Sequence, residues 1–392
     1  MKKRLYILAP NDRFNYGDLL FPYILKHYFS DFFDDIRFVS TTKSDLSEKG
    51  GIPTEDYSVL FKMDVNWENH LIVAGGESLC VRWFIILSYV NKYVSLISRL
   101  SGKLKRFFGT YSTDFFSFII DVFFRTKTLY VFSVGKKEIP HIKTIAYNAL
   151  GGSRLLNKKK FNRRTVNILS SVDYFSVRDL DTSRALEKNA IKHFLCPDTA
   201  ILMSEVFSEK YIQEHLSVST EDFNDKYIFF QGNYKLWNNS EKDIAQQLCE
   251  LHKKTGHKLC LCPIGTALGH LDQVALKNIS KEFDKTVSFK LIENPNIFDI
   301  MWLIKHSQIY IGSSLHGTIT AMSFGVPFVG YGPRKLGAYI EQWTSLYEQC
   351  FCCKNQILNT AINVINNNIT TDSNKQKSLV KSAFEKMSKL YM

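Results

Sequence analysis

The sequence predicts an α/β protein of two domains, each built on a parallel sheet that helices cover on both faces. Three observations favour this fold class. The chain has 392 residues, enough for two domains with separate cores. Short apolar runs alternate with longer helical patterns along it. Several of these runs are apolar throughout, as expected of strands that are buried on both faces.

The predicted strands fall into two sets. The first half of the chain contains the runs RLYILAP, IRFVS, HLIVAGG, LYVFSVG, YFSVRD and HFLCPD. The second half contains YIFFQGN, KLCLCPI, VSFKLIE, IYIGSS and PFVGYG. A polar, charged stretch over residues 204–226 separates the sets. We therefore expect two Rossmann-like domains that face a cleft, residues 1–210 and residues 211–392. Ligands in such folds bind beyond the carboxyl ends of the strands.

Composition narrows the classes of function. A net charge of +12 suits anionic partners. The basic residues are spread out and no familiar nucleic-acid motif is present, so we expect anionic substrates or membranes rather than nucleic acid. Eight cysteines follow no regular spacing, which predicts a reducing cytoplasm and no metal site. The basic N-terminus has too short an apolar run for an export signal and is expected to form the first strand.

One segment, an insertion predicted near residues 81–128, differs from the rest of the first domain. No acidic residue occurs between Glu77 and Asp114, and aromatic and basic side chains are interleaved there. A polar interruption at Asn91 argues against a membrane-spanning helix. Two interpretations remain open. Residues 81–110 form either an interfacial helix that contacts a membrane, or a core helix with a basic solvent edge.

Two glycine-containing motifs follow predicted strands in the first half. In NYGD, Gly17 allows a close turn, while Asn15 and Asp18 either cap the next helix or touch a ligand. In VAGGES, Gly75 and Gly76 would let backbone amides approach an anion at a helix N-terminus. A tight connection between strand and helix needs the same glycines, so both interpretations stand.

Two more motifs place charged side chains at strand ends. Arg178 in YFSVRD offers a planar fork for a carboxylate or phosphate. Its alternative role is a structural ion pair with Asp179 or Asp181. Asp198 in CPDTAIL would orient a cationic side chain or accept a hydrogen bond from a sugar hydroxyl. Its alternative role is to cap a short turn.

The stretch IYIGSSLHGTITAMSFGVPFVGYG reads as strand, polar elbow, helix and strand. Ser313 and Ser314 end the first strand, and His316 lies where the helix starts. A histidine there can exchange protons near neutral pH, although a capping or core role stays open. The loop after the next strand holds Arg334 and Lys335 beside glycines. These two cations form either an anion-binding loop or solvated loop charges.

Taken together, these elements resemble the polysaccharide pyruvyl transferase family. The matching elements, in the family's order, are NYGD, VAGGES, FSVRD, CPDTA, SSLHGTITAMSFGVPFVG and GPRKLG. The resemblance implies a two-domain fold similar to that of the B-type glycosyltransferases. It also implies transfer of pyruvate from phosphoenolpyruvate onto two hydroxyls of a sugar in a surface-polysaccharide precursor, which forms a cyclic ketal. Phosphoenolpyruvate is then the donor substrate, and no cofactor is expected.

The resemblance also implies roles for particular residues. Arg178 matches the family's donor-binding arginine, and Arg334 or Lys335 matches the basic residue of the later loop. His316 matches the histidine that handles protons, and Asp18 joins it as a catalytic candidate that orients the acceptor. The remaining substrate-binding candidates are Asn15, Gly75, Gly76, Asp198, Ser313 and Ser314.

Two positions depart from the family's pattern. Ser314 stands where many members have arginine, and Glu77 stands where many have a third glycine. The first departure removes one candidate anion ligand. The alternative function is a nucleotide-sugar-dependent glycosyltransferase of the same fold class, and the third is a non-enzymatic binder. For the pyruvyl transferase we expect a cytoplasmic location, at the inner face of the membrane if the acceptor is lipid-linked.

Overall fold

The computed structural model shows two parallel sheets with interleaved helices. It describes the ranges 1–79, 81–91, 93–98, 130–152, 163–233, 240–267 and 271–392 and the single residues 100, 119 and 161. Neighbouring strands of both sheets pair in parallel. The predicted α/β fold class is therefore confirmed.

The first sheet is built from β1 (Lys3–Leu8), β2 (Asp35–Ser40), β3 (Glu55–Asp56), β4 (Glu68–Ala74), β5 (Ile142–Leu150), β6 (Tyr174–Val177) and β7 (Phe194–Leu195). Their order across the sheet is β3-β2-β1-β4-β5-β6-β7. The helices among these strands are α1 (Tyr16–Phe29), α2 (Trp83–Val90), α3 (Arg163–Ser170) and α4 (Leu180–Glu187). Strand β1 pairs with both β2 and β4, so the winding direction reverses there. The carboxyl ends of β1 and β4 therefore form a switch point, where ligands bind in such sheets.

The second sheet is built from β8 (Tyr227–Gln231), β9 (Lys258–Leu261), β10 (Phe289–Leu291), β11 (Ile309–Gly312), β12 (Phe328–Tyr331) and β13 (Phe351–Cys352). Their order is β10-β9-β8-β11-β12-β13, so a second switch point lies at β8 and β11. The remaining helices are α5 (Met203–Val206), α6 (Glu209–Glu214), α7 (Glu241–Thr255), α8 (Asp272–Ser280), α9 (Ile297–Lys305), α10 (Leu315–Phe324), α11 (Arg334–Trp343), α12 (Tyr347–Cys350), α13 (Ile357–Asn366) and α14 (Asn374–Ser388).

One strand prediction was wrong. The run LYVFSVG (129–135) forms no strand over its described residues, and β5 (IKTIAYNAL) occupies the place in the sheet instead. Val131 and Phe132 of the run are buried in the core, which explains their apolar character without a sheet. Tyr147 of β5 binds the Val134 backbone twice, accepting from N at 2.7 Å and donating to O at 2.8 Å. The run therefore lies against the sheet as a buried connection.

Helix α1 packs between the two sheets. Asn15 precedes it in an extended conformation, Asp18 lies in its first turn, and Lys26 and His27 lie in its last turn. These charges complement the helix dipole. Most of its apolar side chains belong to one buried core that also includes residues of the second sheet. Helix α1 therefore belongs to a core that the two halves of the chain share.

A chain of hydrogen bonds links the start of α1 to α10. The Tyr16 backbone N donates to Ile264 O at 3.1 Å. Thr320 Oγ1 donates to His316 O at 2.7 Å, so its hydroxyl proton is occupied. The Tyr16 hydroxyl, 2.9 Å from Thr320 Oγ1, is therefore the donor in that pair.

The predicted border between residues 210 and 211 falls within α6, between the last strand of the first sheet and the first strand of the second. The C-terminus packs back onto the first half, with the Tyr391 ring 4.9 Å from that of Phe33 and 5.3 Å from that of His70. The division of the chain into two domains at this border stays a prediction.

The predicted insertion at 81–128 lies mostly outside the described residues. Helix α2 is described, and it buries Trp83 and Phe84 in the core beneath the first sheet. Tyr93 is 81% exposed. The burial at α2 favours the core-helix interpretation there, and membrane contact through 81–110 stays a prediction. Among the described helices, none has both the length and the apolar character needed to cross a bilayer.

Replacing Tyr16 with Phe removes the buried hydroxyl that donates to Thr320. We expect the free energy of unfolding to fall by about 1 kcal/mol, the usual net contribution of one hydrogen bond. Urea denaturation measures this loss. Tyr28→Phe is the matched control, because the Tyr28 hydroxyl bonds the exposed Glu205 at 3.1 Å. An equal effect in both variants would contradict the structural importance of the Tyr16 link.

Candidate active site

A cavity of about 510 Å³ lies at the carboxyl ends of both sheets. Residues of both halves of the chain line it, so the polar sequences that follow β1, β4, β6 and β11 meet there. The sequence-predicted residues on its wall are Asn15, Asp18, Gly76, Arg178, Ser313, Ser314, His316 and Lys335.

Arg178, Asp198 and His316 form a buried cluster at this cavity. Arg178 Nη1 donates to Asp198 Oδ2 at 2.6 Å. His316 Nε2 lies 3.5 Å from the same Oδ2 atom. Asp198 Oδ1 accepts from the backbone N of Ala200 at 3.0 Å, so Asp198 both caps a turn and orients a cation. The structural partner of Arg178 is thus Asp198, rather than Asp179 or Asp181 as its alternative role anticipated.

The electrostatics of the cluster favour the charged forms of Arg178 and Asp198. Burial alone would raise the pKa of Asp198, but His316, Arg178 and the Ala200 N–H hold it below its usual range. Burial alone would lower the pKa of Arg178, but Asp198 and Glu77 hold it above its usual range. Glu77 Oε2 lies 3.8 Å from Arg178 Nη2. The Arg178–Asp198 pair therefore remains ionised at neutral pH.

Gly17 makes room for His316. A Cβ atom at Gly17 would overlap the imidazole ring of His316, so α1 approaches that ring as closely as only glycine allows. Phe21 packs its edge on the same ring, with centroids 5.6 Å apart. Within the described residues, His316 Nε2 is buried and makes no hydrogen bond. The nearest carboxylate oxygen to this buried atom is Asp198 Oδ2, 3.5 Å away.

Asp18 and Arg178 both lie near the turn formed by Gly75 and Gly76 after β4, here called the GG turn. A Cβ at Gly76 would lie 3.5 Å from both terminal nitrogens of Arg178 and 3.6 Å from Asp18 Oδ1. Asn15 does not cap α1 with its side chain, which donates to Asp18 Oδ2 at 2.9 Å. Gly75 has φ +132°, and a Cβ there would lie 2.7 Å from Pro10. Gly75 therefore serves the tight turn from β4.

The two serines before His316 have structural contacts. Ser313 donates through its backbone N to Gln231 Oε1 at 2.9 Å and through Oγ at 3.3 Å. Ser314 Oγ accepts from Gly317 N at 3.3 Å and caps α10. Ser314 thus satisfies one backbone N–H of the helix N-terminus.

The structure separates the two cations of the later loop. Lys335 lines the candidate cavity. The Arg334 side chain is 83% exposed, with Nη2 3.4 Å from Asp181 Oδ2. Arg334 lines an adjoining cavity of about 660 Å³, whose wall shares Arg178 and Lys335 with the first. Of the two cations, Lys335 lines both cavities with Arg178, whereas Arg334 lines only the adjoining one.

Arg13, Gln231 and Asp272 also line the cavity, and none of them belongs to a motif identified in the sequence. Arg13 Nη1 lies 2.9 Å from Asp12 Oδ1, and its Nη2 lies 3.7 Å from Asp18 Oδ2. The Arg13 guanidinium also lies over the ring of Tyr89, 5.5 Å from its centroid. The sequence feature that could have identified Arg13 as a cavity residue is its position between the end of β1 and the NYGD motif.

Metal chemistry has no preformed site in the described part of the chain, where no group of three or more His, Cys, Asp or Glu side chains could hold an ion. Seven cysteines are described there, six of them buried and Cys353 exposed, and none forms a disulfide. Cys80 lies outside the described residues.

Fold and site together define the class: a two-sheet α/β protein with a charged ligand cavity where the sheets meet. A family model for polysaccharide pyruvyl transferase matches residues 15–334. The match covers most of the chain, which therefore belongs to the polysaccharide pyruvyl transferase family and is a transferase. No curated protein matches the sequence.

Solved structures share the fold at low sequence identity. UDP-GlcNAc 2-epimerase from Methanocaldococcus jannaschii, in complex with UDP-GlcNAc and UDP, is 12% identical over 97% of this chain and 99% of its own, with a TM-score of 0.54. UDP-GlcNAc 2-epimerase from Neisseria meningitidis, bound to UDP-GlcNAc, is 13% identical over 99% and 100%, with a TM-score of 0.53. These neighbours have folds like the B-type glycosyltransferases, so the predicted architecture is confirmed.

Because a side chain at position 17 would overlap the His316 ring, substitutions at these two positions should be strongly coupled in stability. Gly17→Ala alone forces the ring or α1 to move, and overpacking of this kind costs roughly 1–3 kcal/mol. In the His316→Ala background the same change meets no ring, and alanine is the better helix former. The double variant should therefore be at least as stable as His316→Ala. Thermal unfolding of all four proteins gives the coupling energy, and additive effects would refute the contact.

Proposed function

We propose that the chain transfers pyruvate from phosphoenolpyruvate onto two hydroxyls of a sugar in a surface-polysaccharide precursor, forming a cyclic ketal. The observation that carries the proposal is that Arg178 and His316 line one cavity, with Asp198 buried against both of them, in a member of this family. The reaction as proposed uses no cofactor, since the donor substrate is itself activated.

Binding of the donor requires groups that accept its negative charge. Phosphoenolpyruvate has a phosphate and a carboxylate, and Arg178, Arg13 and Lys335 are cations on the cavity wall. Asp198 accepts from Nη1 of Arg178, and Glu77 lies 3.8 Å from Nη2, so a donor phosphate or carboxylate would share the guanidinium with these two carboxylates. Ser314 and the N-terminus of α10 add a partial positive charge.

Proton transfer begins at His316. In the proposed first step the His316 imidazolium gives a ring proton to the methylene carbon of the donor, which becomes a methyl group. The adjacent carbon is then electrophilic and bonds the oxygen of one sugar hydroxyl. Asp198 Oδ2, 3.5 Å away, stabilises the imidazolium before the transfer.

Departure of phosphate completes the exchange. The bond between the donor carbon and the phosphate oxygen breaks, and the second sugar hydroxyl bonds the same carbon. The two hydroxyls release two protons: one restores His316 and the other leaves with phosphate. Arg178 and Lys335 stabilise the charge of the departing phosphate. Asp18, next to Arg178 at the GG turn, would orient a sugar hydroxyl.

The acceptor is defined here only by its chemical class. We propose a sugar acceptor that is lipid-linked and is modified at the inner face of the cytoplasmic membrane. The basic, aromatic segment at 81–110 motivates the membrane contact. Binding to anionic and to neutral lipid vesicles distinguishes an interfacial helix from a core helix with a basic solvent edge. An interfacial helix should bind anionic vesicles more tightly, and this binding should weaken as salt increases.

Ligand-induced stabilisation separates the proposed donor from the alternative one. Phosphoenolpyruvate at 100 times its dissociation constant should stabilise the fold by about 2.7 kcal/mol, which raises the unfolding temperature measurably. UDP-GlcNAc and related nucleotide sugars should give no such shift. Protection by a nucleotide sugar, with phosphoenolpyruvate inert, would favour the nucleotide-sugar-dependent glycosyltransferase instead.

Turnover tests the residue roles. Phosphate release from phosphoenolpyruvate that depends on a sugar acceptor should fall by roughly 10²–10⁴-fold in His316→Ala, as expected for lost acid–base catalysis. Arg178→Lys keeps a cation opposite Asp198 and should raise the KM for phosphoenolpyruvate. It is preferable to Arg178→Ala, which would leave a buried carboxylate unpaired at a cost of about 3–5 kcal/mol.

Arg163→Ala is the matched control for these variants, because Arg163 is exposed on α3 and does not line the cavity. It should keep wild-type turnover. Wild-type turnover in both His316→Ala and Arg178→Lys would refute the proposed site.

A further inference from the structure

Asp272, the first residue of α8, is a buried carboxyl group on the wall of the candidate cavity. It is 2% exposed. Three N–H groups donate to its Oδ2 atom: Gln231 Nε2 at 2.9 Å, Ile264 N at 3.2 Å and Gly265 N at 3.0 Å. Its Oδ1 atom has no hydrogen-bond partner in the part of the chain that the structure describes. An unpaired buried oxygen is costly and calls for a ligand.

The three donors determine where a proton would lie on this carboxyl group. Because Oδ2 accepts all three hydrogen bonds, the proton of the neutral acid belongs on Oδ1, which then becomes a donor. Burial raises the pKa of Asp272 to about 6, against the lowering effect of Gln231, Gly265 and Ile264. The neutral acid is therefore accessible near neutral pH, and an anion bound beside it would favour it further.

The other side of Gln231 ties Asp272 to the donor-binding elements. Gln231 Oε1 accepts from Ser313 N at 2.9 Å, so the amide bridges Asp272 to the connection between β11 and α10. Ser314 lies next in that connection and also lines the cavity. Arg178 and Arg13 already face carboxylates. A trianionic donor here needs hydrogen-bond donors that carry no compensating negative charge.

We propose that Asp272 binds phosphoenolpyruvate as a neutral acid, with its Oδ1–H donating to a phosphate or carboxylate oxygen, so that donor binding takes up one proton at this residue. The inference rests on the proposed function. No bond of the donor breaks in this step, and the proton comes from solvent.

The other titratable groups around Asp272 are few. Burial raises the pKa of Tyr310 on β11 and of Cys262 after β9 well above their usual values, so both remain neutral. On α8 itself, Lys277 pairs with Glu293 at 2.8 Å, at the surface. Across the cavity lie Lys335 and His316, with Asp18, Arg13 and Arg178. Histidines and phosphate monoesters also titrate near neutral pH, so a variant must isolate the contribution of Asp272.

Asp272→Asn provides that variant. The three N–H groups would hold the amide oxygen at the Oδ2 position, which places the NH₂ group at the Oδ1 position. The variant therefore mimics the neutral acid at every pH. Phosphoenolpyruvate should bind it and the wild type with similar affinity at about pH 5.5. Above about pH 6 the wild-type Kd should rise relative to the variant by up to tenfold per pH unit, as one-proton linkage requires.

Isothermal titration calorimetry in two buffers of different ionisation enthalpy measures the proton uptake directly. Asp272→Asn should take up one proton fewer than the wild type at about pH 7.5. Asp272→Leu, which has no donor at this position, should bind more weakly than Asp272→Asn across the pH range. Asp299→Asn is the matched control. Asp299 is buried in the first turn of α9, where it accepts a hydrogen bond from Asn296 N at 2.8 Å, and it does not line the cavity. It should keep the wild-type pH dependence.

Each outcome decides one of the two proposals. Equal proton uptake in the wild type and Asp272→Asn would overturn the role of Asp272 and leave the proposed function standing. If phosphoenolpyruvate binds the wild type at no pH between about 5.5 and 8, the proposed donor fails and the role of Asp272 fails with it.

Discussion

The buried ion pair between Arg178 and Asp198 fixes the geometry around the cavity. Helix α11, from the second half of the chain, braces both residues through their backbones. Trp343 Nε1 donates to Arg178 O at 3.0 Å, and the Asp198 N donates to the Tyr339 hydroxyl at 3.2 Å. Because either charge alone would be costly to bury, each partner keeps the other in place. His316 therefore faces the Asp198 carboxylate, which hydrogen bonds from Arg178 and Ala200 N hold in place.

Close approach of α1 is the second constraint, and it is set by residues distant in sequence. The Gly17 backbone lies against the His316 ring, and the Tyr16 hydroxyl reaches His316 O through Thr320. The NYGD backbone thus packs against the His316 ring, and Asp198 lies 3.5 Å from its Nε2 atom. The imidazole has little freedom to rotate, which suits a group that must deliver a proton to one particular carbon.

Most of the fold could be predicted from sequence because buried parallel strands are apolar throughout, a pattern visible locally. The pattern failed at β5, where Lys143, Thr144 and Asn148 interrupt the apolar run, while the buried connection near Val131 looks more like a strand. The motifs located Arg178 and His316 because polar residues at strand ends mark the ligand edge. A role for Asp198 in orienting a cationic side chain was predicted, but the partners Arg178 and His316 were not, since three separate connections must meet to bring them together.

Asp272 was beyond sequence analysis for a similar reason: its environment is made by Gln231 and by the chain at 264–265 rather than by its neighbours in sequence. It also bears on how an anion could bind this cavity at all. Around the wall, Arg13 and Arg178 are matched by Asp12, Asp18, Glu77 and Asp198, so the cations contribute little net positive charge. With Ser314 in place of an arginine, an anionic donor depends on Lys335, on His316, on the N-terminus of α10 and on neutral hydrogen-bond donors. A carboxyl group that can be neutral would supply one such donor where a permanent carboxylate would repel the ligand.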